Sequence, residues 1–568
     1  MYIAVVPNRG SPPALLLREG YREGGKVKNR TLANLSRWPP QKVDLLRRVL
    51  RDEPLARVED LFEVVASPHH GHVQAVRTAM QRLGFDTLLA ARSSRARALV
   101  VALVAARILE PDSKLATTRW WHTTTLPTLL GVQDADEDAL YAAMDWLLAR
   151  QARIEKKLAA RHLREGGLVL YDLTSSYFEG STCPLAAFGH DRDGKKGKRQ
   201  VNYGVLTDAR GCPVAVAVFK GNTGDPKTLL PQVARVREDF GIARLVLVGD
   251  RGMISDIQIT ALKARAGVDW ITALKTGAIR ALVAGGHLQL GLFDERNLFE
   301  LRSPDFPGER LVACRNPELA TLRARKRQAL LEATVKELAK VQRMVARGQL
   351  TGRDAIGVRV GKVINKYKVA KHFRLTIQEA RFDFHIDAVQ VAAEAALDGL
   401  YVIRTSVPPE RLDAADTVRS YKRLGAVERA FRSLKTLDLK VRPIHHRREG
   451  RVRAHIFLCL LAYYVEWHMQ EAWRPLLFAD EDQAAKATRD PVAPARRSAG
   501  ALRKVHAKVL DDGTPVHSFQ TLLKALSTLV RNVGRRRGAG PEEATVEIVT
   551  TPSPEQQRAF DLLGTITV

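Results

Sequence analysis

Between residues 165 and 275 the chain switches from helix-spaced apolar residues to short, nearly continuous apolar runs, and few folds accept the order in which these come. Leu168–Phe178 (LVLYDLTSSYF), Val201–Asp208 (VNYGVLTD), Pro213–Gly221 (PVAVAVFKG), Leu245–Asp250 (LVLVGD) and Asp269–Lys275 (DWITALK) are each of strand length. Asp208-Ala209-Arg210-Gly211 supplies a turn between the second and third runs, which predicts a hairpin. Lys227–Phe240 and Ser255–Ala266 carry helical spacing and fall between the third and fourth and the fourth and fifth runs. The predicted order is therefore β-β-β-α-β-α-β.

That order is the one expected of an α/β, RNase H-like core, a mixed sheet in which the first and fourth strands are neighbours. Asp172 on the first and Asp250 at the end of the fourth would then lie side by side, although 78 residues separate them. A carboxylate at the end of a buried strand is costly unless it is paired or holds a cation. Glu428 lies in Tyr421–Lys435 (YKRLGAVERAFRSLK), a basic segment with amphipathic helical spacing. Two strand-end aspartates and a helix glutamate suit a pair of Mg²⁺ ions, with Mn²⁺ able to substitute. Magnesium prefers hard oxygen ligands and needs few carboxylates, since water and substrate phosphates complete its shell. Taken singly, Asp172 could cap a turn, Asp250 sit in an exposed loop and Glu428 decorate a surface helix; the strand order favours the shared site.

The balance of 90 Lys and Arg against 62 Asp and Glu, a net charge of +28, predicts a polyanionic partner. Charge alone does not separate DNA from RNA or an acidic membrane. Ala98–Leu109 and Ile456–Val465 are too short to span a bilayer and read as core helices, so no membrane role is expected. The N-terminus lacks the pattern of a secretory signal, and the four cysteines show no paired spacing. A cytoplasmic, nucleoid-associated setting with free thiols follows as the expectation.

Residues 1–160 read as mainly helical after a short N-terminal strand, with helices over Pro39–Arg51, His72–Leu83, Ala96–Leu109 and Asp138–Leu158. Residues 165–275 form the first part of the core, 276–412 an insertion domain with a long charged helix around Pro317–Arg347, and 413–475 the second part of the core. Residues 476–568 form a partly helical C-terminal region. His69, His70 and His72 have no acidic or thiol partner nearby and read as a helix-start cluster; Trp120, Trp121 and Trp270 read as core. Gly189–Lys196 (GHDRDGKK) falls short of a nucleotide-binding P-loop, because Lys196 stands where a hydroxyl is required and a strand follows instead of a helix. A basic loop near DNA, carrying Lys195 and Lys196, is the alternative to a merely solvated hairpin.

Tyr421, Glu428 and Lys435 are seven apart and would share one helix face, with Lys435 placed to neutralise a phosphate and Tyr421 to touch a phosphate or sugar. Arg423 and Arg432 lie among the surrounding cations that suggest a nucleic-acid face. The segments YDLTSSYFEG, QVNYGVLTDARGCPVAVAVFKGNTGD, LVLVGDRGMIS and YKRLGAVERAFRSLK resemble the successive motifs of insertion-sequence DDE transposases of the IS-four superfamily, in the form of the IS-sixteen-thirty-four-like group. The resemblance covers roughly 165–475. It implies the signature Tyr-x2-Arg-x3-Glu-x6-Lys, met here by Tyr421, Glu428 and Lys435, whereas Leu424 occupies the arginine position beside Arg423. It also implies a β-rich insertion, cleavage at terminal inverted repeats, strand transfer into target DNA, and a homodimer in the synaptic complex. The N-terminal region would bind the element ends. The alternatives are an RNase H-like nuclease without strand transfer and a non-catalytic DNA-binding protein derived from a transposase.

Overall fold

Alternation without a buried face shapes the start of the chain: β1 (Tyr2–Asn8), β2 (Ser11–Glu23) and β3 (Lys26–Asn34) form an antiparallel meander, and β3 is exposed along its whole length. Gly24 and Gly25 turn β2 into β3 with φ of +58° and +78°, the positive values that a two-residue hairpin turn needs at both centres. A three-stranded meander thus stands where a short N-terminal strand was expected, ahead of a region that is mainly helical. Helices begin with Pro40–Val49 and dominate only from Gly71 onward, after β4 (Phe62–Ala66). The computed structural model describes residues 1–53, 62–289, 293, 297–494, 496–537, 540 and 543–568. They divide into two units, Met1–Pro68 with Val530–Thr551, and His69–Leu529 with Pro552–Val568.

The second unit is built on β5 (Leu168–Tyr177), β6 (Gln200–Thr207), β7 (Pro213–Lys220), β8 (Leu245–Val248) and β9 (Val268–Ala273). The five lie in the order β7-β6-β5-β8-β9, with β5, β8 and β9 parallel and the first three antiparallel, which is the predicted RNase H-like arrangement. Helices Asp225–Glu238 and Asp256–Lys263 make the crossovers. Every residue of β6 is buried, as expected of a strand covered on both faces. Gly204 on β6 is needed because a Cβ there would stand 2.2 Å from the Tyr171 hydroxyl.

After a charged first turn, helix Glu449–Ala472 is largely apolar and buried for most of its length. It packs on β7 and against helices Arg95–Leu109 and Glu137–Leu148. Each large apolar side chain taken fully out of water there contributes roughly 1.5–3 kcal/mol. Glu155, fully buried on helix Gln151–His162, accepts hydrogen bonds from Val216 N of β7 (2.9 Å), from Gln151 (3.0 Å) and from Arg235, and so joins this layer to the sheet.

The region 276–412 is not separate from the core sheet. Its strands β10 (Leu298–Leu301) and β11 (Arg310–Arg315) lead to helices Pro317–Ala346 and Arg353–Tyr367 and the ribbon β12 (Phe373–Ile377) and β13 (Phe382–Ile386). The chain returns through β14 (Leu400–Thr405), which pairs with β9 and carries β11 and β10 outward as an antiparallel extension of the sheet. The distal part is helical, with a core of its own around Leu338, Val341, Ile356 and Phe382, where a β-rich insertion was expected. The last strands, β15 (Arg531–Arg536) and β16 (Val546–Val549), belong to the first unit, where β15 pairs with β4. The C-terminal helix Pro554–Gly564 returns to the second unit and receives the Trp473 indole N–H on the Ala559 carbonyl (2.8 Å).

Candidate catalytic site

Parallel pairing sets the two aspartates level. Leu170 of β5 is opposite Val248, the last residue of β8, so Asp172, two residues further along β5, and Asp250, two residues beyond β8, come level. The backbone N–H groups of Gly252 (3.0 Å) and Met253 (2.7 Å) hold Asp250 Oδ1, which fixes the carboxylate as the chain turns out of the sheet. Asp172 Oδ1 accepts from Leu173 N (2.8 Å). Both aspartates are half-buried.

Helix Leu424–Arg432 supplies the third carboxylate. It buries Val427, Ala430 and Phe431 against the sheet, with Phe431 edge-on to Tyr203 of β6, and leaves Glu428 on its exposed side. Gly211, in the β6–β7 turn at φ +89°, lets the helix approach, since a Cβ there would stand 2.5 Å from Ala426 Cβ. Burial pushes the Asp172 carboxyl up to about 7, and the charges of Asp250 and Glu428 push in the same direction against the Leu173 N–H and Arg192. The Tyr421 phenol is pushed up to about 12 by burial and by Asp250, Glu428 and Asp172, with Arg251 opposing. Asp172 thus stands in the middle of β5, where a strand end was expected, Asp250 lies just beyond β8 and Glu428 is on the helix, and all three act on one tyrosine. Such a set of hard oxygen ligands, with Arg192 and Arg251 beside it, is of the chemistry a divalent cation takes.

The segment expected as one helix from Tyr421 to Lys435 is three pieces: Ala414–Lys422, Leu424–Arg432 and a π turn, Ser433–Leu437. The seven-residue register therefore fails between Glu428 and Lys435. The Lys435 ammonium is buried and bonds Asp193 Oδ1 (2.9 Å) instead of facing the carboxylates, and burial lowers its pKa. Asp193 also pairs with Arg442, and its second oxygen accepts from Tyr177 N (3.0 Å) at the end of β5. The Gly- and Lys-rich loop is thereby tied to the sheet by an aspartate, while Lys195 and Lys196 stay exposed and Lys195 lies 5.8 Å from the Tyr177 ring centre. Arg423 and Arg432 are exposed, and Leu424 packs into the core.

Sequence reasoning missed Arg192 and Arg251, the guanidinium groups that act on Asp172 and Tyr421. The run GHDRDGKK and the Arg after Asp250 were the available signals. It also missed that Cys212, His162 and His468 bring ligand-type atoms within 4.8 Å of one another, because the three come from distant parts of the chain. Of the N-terminal histidines, His70 bonds Thr125 Oγ1 (2.8 Å), and burial pushes His72 down to about 4, as suits a packed helix start.

Over half of the chain, residues 167–465, matches the family described as the transposase DDE domain. Residues 3–59 match the IS1634 family transposase, N-terminal domain. A cryo-EM structure of the piggyBac transposase synaptic complex with hairpin DNA is similar at 8% identity and a TM-score of 0.33, over 80% of this chain and 77% of that one. No curated protein matches.

Proposed function

Because the chain belongs to the transposase DDE domain family, DNA transposases that transfer phosphoryl groups with a divalent metal, we propose that Asp172, Asp250 and Glu428 hold that metal, as two Mg²⁺ ions, and that the protein cuts element ends and joins them to target DNA. What supports this reading is the parallel register that brings Asp172 of β5 level with Asp250 just beyond β8, together with the electrostatic action of Asp250 and Glu428 on Asp172. When bound, the metal would activate the attacking oxygen and stabilise the leaving one in an in-line displacement.

The chain's own part is positioning and charge. Asp172 stands within β5, and Asp250, two residues beyond β8, is fixed by the Gly252 and Met253 N–H groups. Glu428 is exposed on a helix edge and free to adjust to what binds. Tyr421, half-buried beside the carboxylates, keeps its proton at neutral pH and can donate it to a phosphate oxygen. Arg251 offers charge-assisted bonds to phosphate where Leu424 cannot, and Arg192 does so with the donors left by its ion pair with Asp225. Arg423, Arg432, Lys195 and Lys196 would follow the backbone of the bound strand, and residues 1–160 would bind the terminal inverted repeats. Lys435 holds the loop through Asp193. Two ends must be brought together, so the working form is taken as a homodimer, acting in the cytoplasm at the nucleoid. No helix among the described residues is long and apolar enough to cross a membrane.

The test is cleavage and strand transfer with paired element ends and Mg²⁺. Asp172→Asn, Asp250→Asn and Glu428→Gln should each lose on the order of 1000-fold or more of both steps. Full activity in any of them would remove that residue from the site, and cleavage without joining would favour a nuclease.

A further inference from the structure

A second concentration of like charge lies apart from the carboxylates. A cavity of about 590 Å³ is walled by Arg107, the segment Pro111–Lys114, Tyr141, the segment from Lys440 to Arg448, and the first turns of helix Glu449–Ala472. Seven of its fifteen lining residues are Lys or Arg, three more are His, and the one acid is Asp112. Asp112 Oδ1 is engaged by Ser113 N (2.6 Å). Among the described residues only Arg442 of the seven cations has a carboxylate partner, Asp193.

The deepest members cannot be relieved by bulk water. Arg107 is 6% exposed, Lys114 3% and His455 4%. Arg107 donates only to the Asp112 carbonyl (3.1 Å), and the Arg451 guanidinium lies 4.2 Å from the Tyr141 ring centre with its Nε buried and unpartnered. His455 gives Nε2 to the Val441 carbonyl (3.1 Å) and leaves a buried Nδ1 with no partner. The mutual strain shows in protonation: burial and then Arg107 push Lys114 down to about 7, and burial with Lys114, Arg107, Arg451 and His445 pushes His446 down to about 3. Desolvated cations without counter-charges oppose folding, and an anion is what turns the same arrangement favourable.

We propose that this cavity binds a phosphate group of a nucleic-acid strand. The volume falls in the range of small-ligand pockets and exceeds what a bare phosphate fills, so it suits a nucleotide unit. Seven cations in one concave wall are the electrostatic footprint of phosphate recognition. The wall also meets the candidate catalytic strand: Arg442 and Lys435 share Asp193, which caps Tyr177, five residues and therefore about 17 Å along β5 from Asp172. A strand that passes the carboxylates can be held at a second point here. The proposal rests on the reading of this chain as a DNA enzyme only for the source of the phosphate.

Binding of a fluorescent 12-nucleotide single strand and of inorganic pyrophosphate to the full chain in EDTA tests it, since no cleavage occurs there and a failed pocket leaves the cleavage reading standing. Lys114→Met and Arg451→Gln should each weaken strand binding at least tenfold and lower the log–log salt slope by about one. Arg325→Gln, an exposed charge on helix Pro317–Ala346, should do neither. Lys114→Met should also raise the melting temperature of the ligand-free protein, which a merely structural lysine would not do. Unchanged strand affinity and slope in folded Lys114→Met and Arg451→Gln overturn the proposal, as does a lowered melting temperature for Lys114→Met. Loss of pyrophosphate binding alone, with strand affinity intact, would assign the cavity to a free phosphate and overturn the nucleic-acid occupant.

Discussion

The carboxylate cluster and the cationic cavity carry opposite charges and share one design. Each gathers like charges from segments far apart in sequence, and each forces a group off its usual protonation. The buried pair of Glu155 and Arg235 differs in its partners and not in its protonation: burial pushes Glu155 up to about 7 as well, but an opposite charge, Val216 N–H and the Gln151 amide oppose that shift. Buried charge that is paired supports the fold, whereas buried charge of one sign supports binding and weakens the fold.

Breaking the paired case should have the largest effect on stability. Glu155→Ala would strand Arg235 between its helix and β7, and a loss of about 3–5 kcal/mol in denaturant unfolding is expected. A loss under about 1 kcal/mol would mean that water reaches this pair and that the contrast is overstated. Gly211→Ala comes next. Its Cβ would meet Ala426 at a positive φ, and about 1–3 kcal/mol is expected, with DNA cleavage falling further than stability because the Glu428 helix is displaced.

Protonation gives a smaller and more selective comparison, read as the difference between wild type and variant in metal-free, DNA-free protein. Asp172 holds its proton up to about pH 7 when folded and only to about 4 when unfolded. In that window the folded state binds the extra proton, so this group's contribution makes stability fall as pH rises from 4 to 7. Lys114 releases its proton near 7 when folded and near 10.5 when unfolded, so its contribution makes stability rise between those values. Asp172→Asn should flatten the acid limb and Lys114→Met the alkaline limb. Mg²⁺ should act like the first substitution, and a phosphate-bearing strand like the second.

The core was legible because burial leaves a pattern: β5 to β9 are apolar runs punctuated by turns, and the two aspartates interrupt or end them. The meander of β1 to β3 was not, since a sheet with an exposed strand such as Lys26–Asn34 has no apolar alternation to read. Nor did the sequence reveal that β14 would add to β9, because strand partners beyond a long insertion leave no local signal. In the candidate site, Asp172, Asp250 and Glu428 could be read one at a time from two apolar runs and a helix face, although Asp172 lies in the middle of its strand and not at the end. The π turn at Ser433–Leu437 could not, and it sends Lys435 to Asp193. The cavity is built from residues near 107, 114, 141 and 440–455; the cations Lys440, Arg442, Arg447 and Arg448 were visible in the sequence as part of a basic face, but nothing there tied them to Arg107 and Lys114.

The central claim is that Asp172, Asp250 and Glu428 share a divalent cation, and Mn²⁺ binding followed by electron paramagnetic resonance, without DNA, tests it most directly. Wild-type protein should bind Mn²⁺ saturably, in competition with Mg²⁺, and Asp172→Asn and Asp250→Asn should each weaken that binding at least about tenfold. Wild-type affinity retained in both variants, with folding intact, would contradict it.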